Sequence, residues 1–125
     1  MLKRVLIVDD SILMRRMIGD TLSDAGWEIA GEACDGREAL EKYEALRPDV
    51  VTMDIVMPGT DGLFALEGIL RVDPKAQVVV VSALNQTKLI SDAIRKGARD
   101  FIAKPFLPEQ LQETVAACID ENVNV

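Results

Sequence analysis

The amino-acid sequence predicts an α/β fold in which five parallel strands alternate with five helices. Short apolar runs of strand length recur along the chain, and segments with helical periodicity separate them. Most of the runs are β-branched and apolar throughout, which is typical of parallel strands covered by helices on both faces. Five strand–helix units in 125 residues favour an open, doubly wound sheet, because an eightfold barrel needs about 250 residues.

The predicted strands differ in polarity. Four are almost wholly apolar, whereas the second carries Glu28 and Glu32, which favours a place at the edge of the sheet. Of the doubly wound orders, the flavodoxin-like order 2-1-3-4-5 suits five strands and puts the second strand at an edge. The predicted strands are residues 5–8, 28–33, 50–53, 78–81 and 101–103.

The predicted helices follow from apolar residues at three- and four-residue steps. These residues are Met14, Met17, Ile18, Leu22 and Ala25, then Leu40 and Tyr43, then Leu63, Leu66 and Leu70, then Ile90, Ala93 and Ile94, and finally Leu111, Val115, Cys118 and Ile119. The residues that favour a helix start are the capping pair Asp35 and Glu38, Asp61-Gly62 and Pro108. The residues that favour a helix stop are Gly26, Pro48, Asp73-Pro74 and Gly97. We expect the polar tail after Ile119 to fray.

The composition excludes several kinds of site. The chain has no histidine, which removes a Ser-His-Asp triad, a histidine base and histidine-rich zinc sites. A formal net charge of −7 argues against nucleic acid as a partner. Cys34 and Cys118 suit neither a disulfide framework nor a CxxC metal site, so we expect reduced thiols. Without a signal peptide or an apolar span of about 20 residues, we expect a cytoplasmic protein that does not enter the membrane.

Polar residues stand at the ends of four predicted strands. Asp9 and Asp10 end the first, Asp54 the third, Ser82 the fourth and Lys104 the fifth. The carboxyl ends of parallel strands share one edge, so these side chains should converge there. Three neighbouring carboxylates need a cation or a raised pKa, and oxygen ligands favour Mg²⁺. Because a carboxylate beside Mg²⁺ and lysine can attack phosphorus, the residues predict a magnesium-dependent, phosphoryl-accepting site.

Each of these residues also has a simpler interpretation. Asp9 and Asp10 could cap the first helix, and Asp54 could belong to a Pro-Gly turn. Ser82 could begin a helix, and Lys104 could be a solvated charge. Independent turn residues, however, need not bring three acids, a hydroxyl and a lysine to one edge.

Two further groups of residues have ordinary structural interpretations. Arg15 and Arg16 are expected to form a solvated helix face. The methionines with an expected core role are Met14, Met17, Met53 and Met57.

Four segments resemble response-regulator receiver domains. They are VLIVDDS at 5–11, MDIVMPGTDG at 53–62, VVVVSA at 78–83 and GARDFIAKPF at 97–106. Their order and extent imply a single receiver domain over residues 1–125. The stretches VDDSILMRRMI, GREALEKYEALRPDVVTMDI and SALNQ are most similar to single-domain, CheY-like chemotaxis regulators.

Three alternatives stay open beside this resemblance. The chain could be the receiver part of a larger regulator, such as a methylesterase or a transcription factor. A flavodoxin-like cofactor-binding module would share the fold, but no glycine-rich loop follows the first strand. A receiver that only binds partners should lack an acid, the hydroxyl or the lysine, and none of these is missing.

The resemblance implies a role for each site residue. Asp54 is the expected phosphoacceptor. Asp10, Asp54 and the backbone carbonyl of Val56 are expected to bind Mg²⁺, with Asp9 acting through a bound water. Lys104 is expected to pair with the phosphoryl group, and to be aimed inward by a cis peptide bond before Pro105.

The resemblance also implies the partners and the switch. The donor is expected to be a phosphohistidine on a sensor histidine kinase, and the receiver catalyses only its own phosphorylation and dephosphorylation. Ser82, with the Ala83 amide nearby, is expected to bind the phosphoryl group. An effector, for which the flagellar motor switch is one candidate, is expected on the face of the fourth helix, fifth strand and fifth helix.

Two departures from the family pattern lead to hypotheses. Phe101 stands where many members have tyrosine, so we expect a switch that works by packing rather than through a hydroxyl. The alternative is a permanently buried core ring. Apolar Val56 and Leu84 flank the acceptor and are expected to slow hydrolysis of the phosphoryl group.

Overall fold

Strands and helices alternate throughout the computed structural model, which describes residues 3–57, 62–83 and 85–120. The strands are Arg4–Val8 (β1), Glu28–Ala33 (β2), Val50–Met53 (β3), Val78–Ala83 (β4) and Asp100–Lys104 (β5). The helices are Ile12–Asp24 (α1), Gly36–Leu46 (α2), Gly62–Val72 (α3), Thr87–Arg95 (α4) and Pro108–Asp120 (α5).

All strands pair in parallel, in the order β2-β1-β3-β4-β5. The predicted fold class and strand order are therefore confirmed, with the polar second strand at an edge. Successive strand residues point to opposite faces of the sheet. Leu6 and Val8 accordingly face the layer that contains α2, α3 and α4, while Val5 and Ile7 face α1 and α5.

Two strands continue beyond the carboxyl ends of the apolar runs that predicted them. β4 continues through Ser82 and Ala83, and β5 continues to Lys104. Ser82 is paired with Ala103 and Ala83 with Lys104, so the ladder holds the backbone of both polar residues. A prediction from apolar runs alone ends both strands too early, because it stops before the polar residues Ser82 and Lys104. These polar residues belong to the candidate site.

The cap of α1 decides one open question. Ser11 is the N-cap residue, and its hydroxyl accepts a hydrogen bond from the Met14 amide at 3.2 Å. The interpretation of Asp9 and Asp10 as caps is therefore wrong. Their carboxylates belong to the turn that precedes the helix.

The start of α2 matches the predicted capping pair of Asp35 and Glu38, except that Glu38 bonds to the residue before the cap. Asp35 caps the helix by accepting from the Glu38 amide at 2.8 Å. The Glu38 carboxylate accepts from the amide of Cys34, one residue before the cap, at 2.7 Å. The β2–α2 connection is therefore held from both sides of the cap.

Two expectations about α1 are wrong. Met17 is 45% exposed rather than a core residue, although Met53 and Met57 are buried as expected. The Arg15 side chain is only 15% exposed, because ion pairing draws it towards β2. Arg16 is exposed, as expected.

Some expectations fall on residues outside the described ranges. These are the Pro-Gly turn at 58–59, Asp61, Leu84 and the tail from 121 onwards. Cys34 and Cys118 are both free thiols. Within the described part of the chain, no helix combines the length and apolarity that a membrane crossing requires.

Candidate functional site

The carboxyl ends of β1 and β3 bring three acids together. Val8 pairs with Met53 at the end of these neighbouring strands, so Asp9 and Asp54 leave the sheet side by side. Carboxylate oxygens of Asp9, Asp10 and Asp54 all lie within 4.8 Å of one another. Asp9 and Asp54 are buried and Asp10 is exposed. The predicted convergence of these residues is thus observed.

Lys104 reaches this acidic cluster from the carboxyl end of β5, which lies two strands away from β3. Its Nζ donates to Asp9 Oδ2 at 3.0 Å and to Asp54 Oδ2 at 3.2 Å. The peptide bond between Lys104 and Pro105 is cis, as the resemblance implies. The interpretation of Lys104 as a solvated charge is therefore wrong.

The Asp54 carboxylate is held at both oxygens. Oδ1 accepts from the backbone amide of Val56 at 2.9 Å, and Oδ2 accepts from Lys104. The first bond spans residues 54 to 56, whereas the Pro-Gly turn to which Asp54 could belong lies outside the described residues. The other oxygen faces the lysine and the neighbouring acids.

Burial and charge act in opposite directions on the pKa values here. Burial raises the pKa of Asp54, and Asp9 adds to that rise, while the Val56 amide and Lys104 oppose it. For Lys104, burial lowers the pKa, but hydrogen bonds and charge interactions with Asp9 and Asp54 prevail and raise it. The site therefore keeps a charged lysine beside a carboxylate whose charge is costly.

The cluster holds three carboxylates, and the Lys104 ammonium group pairs with two of them, Asp9 and Asp54, so negative groups are in excess. A divalent cation would supply the missing positive charge. Oxygen ligands without histidine or thiolate suit a hard ion such as Mg²⁺. The cluster can therefore bind a divalent metal ion.

Ser82 lies at the same edge and is 1% exposed. Among the described residues, no group hydrogen-bonds to its Oγ. A buried hydroxyl without a partner is unfavourable, and it can donate to an acceptor placed beside it. Ser82 lies within β4, whereas α4 begins at Thr87, so its interpretation as a helix-entry residue is wrong.

Thr52 is a second buried hydroxyl for which the described residues offer no hydrogen-bond partner. It lies in β3, two residues before Asp54, and the sequence analysis assigns it no role. Its neighbours across the ladder are the apolar Ile7 and Val79. Nothing in the structure explains this hydroxyl.

Phe101 lies on β5 and is 43% exposed. With Ile90, Ile94 and Arg95 it lines an open groove between α4 and β5. The alternative of a permanently buried ring is therefore wrong. Val56 is also exposed, and its amide donates to Asp54.

Arg15 is the residue near the site that the sequence analysis misses. Its Nη1 donates to the backbone carbonyl of Asp9 at 2.7 Å, and its Nε pairs with Glu32 at 2.9 Å. The predicted strand order could have indicated this contact, because it places β2 beside β1. A glutamate at the end of an edge strand is then close to an arginine in the first turns of α1.

Comparison with known proteins gives concordant results. The response regulator receiver domain family matches residues 5–116. The chemotaxis protein CheY of Thermotoga maritima is 51% identical over 113 residues, which are 90% of this chain and 94% of that protein. A protein-glutamate methylesterase/protein-glutamine glutaminase of Syntrophomonas wolfei is 51% identical over 106 residues, but these are 82% of this chain and 30% of that protein.

The solved structures agree. The crystal structure of the CheX–CheY–BeF3–Mg²⁺ complex from Borrelia burgdorferi contains a chain that matches with a TM-score of 0.89 and 36% identity. The match covers 94% of this chain and 89% of that one. Fold, sequence and family thus agree over nearly the whole chain, which belongs to the response regulator receiver domain family.

Proposed function

We propose that this receiver accepts a phosphoryl group on Asp54 from a phosphohistidine of a partner histidine kinase. The observation that carries the proposal is the Lys104 ammonium group between Asp9 and Asp54, beside three clustered carboxylates. An Asp54 oxygen attacks phosphorus, and the bond between phosphorus and the imidazole nitrogen breaks. The donor histidine leaves, and an acyl phosphate forms on Asp54.

The residues present suit a magnesium ion at this site. Asp10, Asp54 and the carbonyl of Val56 would hold it, with Asp9 acting through a water molecule. Bound Mg²⁺ would neutralise charge on the carboxylates and on the incoming phosphoryl oxygens. The related complex from Borrelia burgdorferi contains Mg²⁺ with BeF3, which supports magnesium as the metal ion.

Lys104 and Ser82 would receive the phosphoryl oxygens. The Lys104 ammonium group already bridges two carboxylates and can pair with a phosphoryl oxygen placed on Asp54. The unpartnered Ser82 hydroxyl and the Ala83 amide would donate to another oxygen. Water later hydrolyses the acyl phosphate, and we expect the exposed, apolar Val56 to slow this step.

Phosphorylation would act by shifting the population of two conformations. Ser82 would move towards the phosphoryl group, and Phe101 would turn inward from its exposed position. The groove that Phe101 lines with α4 would then change shape. An effector protein on the face of α4, β5 and α5 would recognise that change.

The relatives support a role in chemotaxis signalling. The Thermotoga maritima relative is a chemotaxis protein and is matched over nearly its full length. A flagellar motor switch component is therefore a candidate effector. The methylesterase relative keeps a second role open, because an equally similar segment is part of a longer protein there. Co-precipitation with the motor switch or with a methylesterase domain distinguishes the two roles.

The decisive experiment is phosphorylation with acetyl phosphate and Mg²⁺, followed by intact mass spectrometry. We expect the mass of one phosphoryl group on the wild-type chain and no added mass on Asp54→Asn. Chelation of Mg²⁺ should abolish the reaction. Absence of the added mass from the wild type, or its presence on Asp54→Asn at the wild-type level, would refute the proposal.

A further inference from the structure

Arg15 reaches from α1 to the loop that carries two of the acids. Its Nη1 donates to the Asp9 carbonyl at 2.7 Å, and its Nε donates to Glu32 Oε1 at 2.9 Å. Only 15% of its side chain is exposed, against 47% for Glu32. A planar guanidinium group with two acceptors at fixed angles orients both of them, which a flexible ammonium group cannot do.

The Glu32 end of this contact is itself supported by α2. Lys42 Nζ donates to the backbone carbonyl of Glu32 and pairs with Glu38 at 3.8 Å. Glu38 in turn accepts from the Cys34 amide at 2.7 Å. The end of β2 is therefore tied to α2, and Arg15 connects that support to Asp9.

The group that Arg15 contacts is the peptide between Asp9 and Asp10. The other polar groups of Asp9 have partners elsewhere: its amide donates to Ala33, and its carboxylate accepts from Ser11 and Lys104. Among the described residues, Arg15 is the side chain that bonds to the Asp9 carbonyl. The orientation of this peptide sets the position of the Asp10 backbone. Arg15 therefore influences where the exposed Asp10 carboxylate lies.

We propose that Arg15, anchored by Glu32, is a positioning residue that sets the divalent-cation affinity of the acidic cluster. The inference rests on the proposed function, because it concerns the cation that Asp10 and Asp54 would hold. Outer-shell partners of this kind commonly change metal affinity by about 10-fold to 100-fold when they are lost.

Charge and geometry predict opposite results for this arginine. If Arg15 acted only as a positive charge near the cluster, its removal would strengthen Mg²⁺ binding, because less repulsion would remain. If it positions the Asp9–Asp10 peptide, its removal weakens Mg²⁺ binding. Lysine keeps the positive charge but lacks the planar guanidinium group that donates to two acceptors, so Arg15→Lys separates the two roles.

The experiment is calorimetric titration of the full chain with Mg²⁺. We expect the dissociation constant to rise about 10-fold in both Arg15→Ala and Arg15→Lys. The matched control is Arg16→Ala, which removes the same charge from the next residue of α1 and should leave the constant unchanged. An unchanged or lower constant in Arg15→Ala, or a wild-type constant in Arg15→Lys, would overturn the inference.

Glu32→Ala tests the anchor. We expect a smaller rise of about threefold, because the bond from Arg15 to the Asp9 carbonyl remains. The double variant Arg15→Ala/Glu32→Ala should bind Mg²⁺ no more weakly than Arg15→Ala alone, since both act through one contact. Additive effects would contradict the anchor.

Two measurements keep the outcomes distinct. Thermal unfolding with a chelator present shows whether each variant is folded, and if Arg15→Ala is not, Arg15→Lys and Glu32→Ala decide the matter. A wild type that fails to bind Mg²⁺ overturns both the proposed function and this inference. If the wild type binds Mg²⁺ and the variants bind it with the same dissociation constant, this inference alone is overturned.

Discussion

Asp54 lies at the carboxyl ends of the parallel strands and Asp73 at their amino ends, and the two side chains are held in contrasting ways. Asp73, between α3 and β4, accepts from the Tyr43 hydroxyl at 2.8 Å and from the Lys75 amide at 3.1 Å. These hydrogen bonds lower the pKa of Asp73, the Tyr43 bond most of all. Asp54, at the carboxyl edge, has a raised pKa because it is buried beside Asp9.

The difference shows where the surroundings favour a negative charge and where they oppose one. The surroundings of Asp73 favour its negative charge, so the residue helps to hold α2 against α3. The surroundings of Asp54 leave its charge incompletely balanced, and a cation and a phosphoryl group can change that balance. The same residue type is therefore stabilised as a charge at one edge and destabilised as a charge at the other.

The largest effect that would sharpen this comparison is expected at Lys104. Replacement by alanine removes the donor shared by Asp9 and Asp54, and the rate of phosphorylation by acetyl phosphate should fall about 100-fold or more. Lys96→Ala is the matched control, because Lys96 forms a surface pair with Glu67 at 2.8 Å. Mass spectrometry over time measures both rates. Equal loss in the two variants would show that Lys104 has no special role.

The next effect is on stability at the carboxyl edge. Asp54→Asn removes a buried negative charge beside Asp9, so the free energy of unfolding should rise by about 1 kcal/mol in a chelator at neutral pH. Mg²⁺ should stabilise the wild type more than this variant. Denaturant unfolding measures both quantities. A lower stability for Asp54→Asn under these conditions would break the comparison.

At the opposite edge the same substitution should have the opposite sign. Asp73→Asn weakens the charged hydrogen bond to Tyr43 and should lower the free energy of unfolding by about 1 kcal/mol at neutral pH. Phosphorylation of Asp54 should be unaffected in this variant. Increased stability in Asp73→Asn would contradict the contrast between the two edges.

The Asp73 contribution should also depend on pH. Because its pKa is lower in the folded than in the unfolded chain, the contribution is full above the unfolded pKa and is lost as the pH falls through the folded pKa. The stability difference between wild type and Asp73→Asn should therefore shrink in acid. Unfolding curves across the acid range measure it, and a difference that grows there would be evidence against this assignment.

The smallest effect is expected at Ser82. Its buried hydroxyl has no hydrogen-bond partner among the described residues, so Ser82→Ala should not lower the free energy of unfolding. The stabilisation that BeF3 and Mg²⁺ confer should, however, decrease in this variant. Thr52→Val removes another buried, unpartnered hydroxyl and should keep that stabilisation intact. Thermal unfolding with and without BeF3 separates the two variants.

Much of the fold could be predicted because its signals are local. Apolar runs located all five strands, and residues such as Asp35 and Pro108 marked helix starts that the structure confirms. The extension of β4 over Ser82 could not be predicted in this way, because hydrogen bonds to β5 rather than apolarity maintain it. The exposure of Met17 was missed for a related reason, since periodicity does not show how much of a helix its neighbours cover.

The sequence by itself determined which chemical groups reach the carboxyl edge. Strand order and strand ends follow from local patterns, and they are enough to bring Asp9, Asp54 and Lys104 to one place. Only the tertiary structure decided how these groups are held: which Asp54 oxygen faces the lysine, that Ser82 has no partner within the described part of the chain, and that Arg15 bonds to the Asp9 peptide. These contacts join residues from separate strands and helices, and their geometry depends on packing across the whole sheet, which no local pattern encodes.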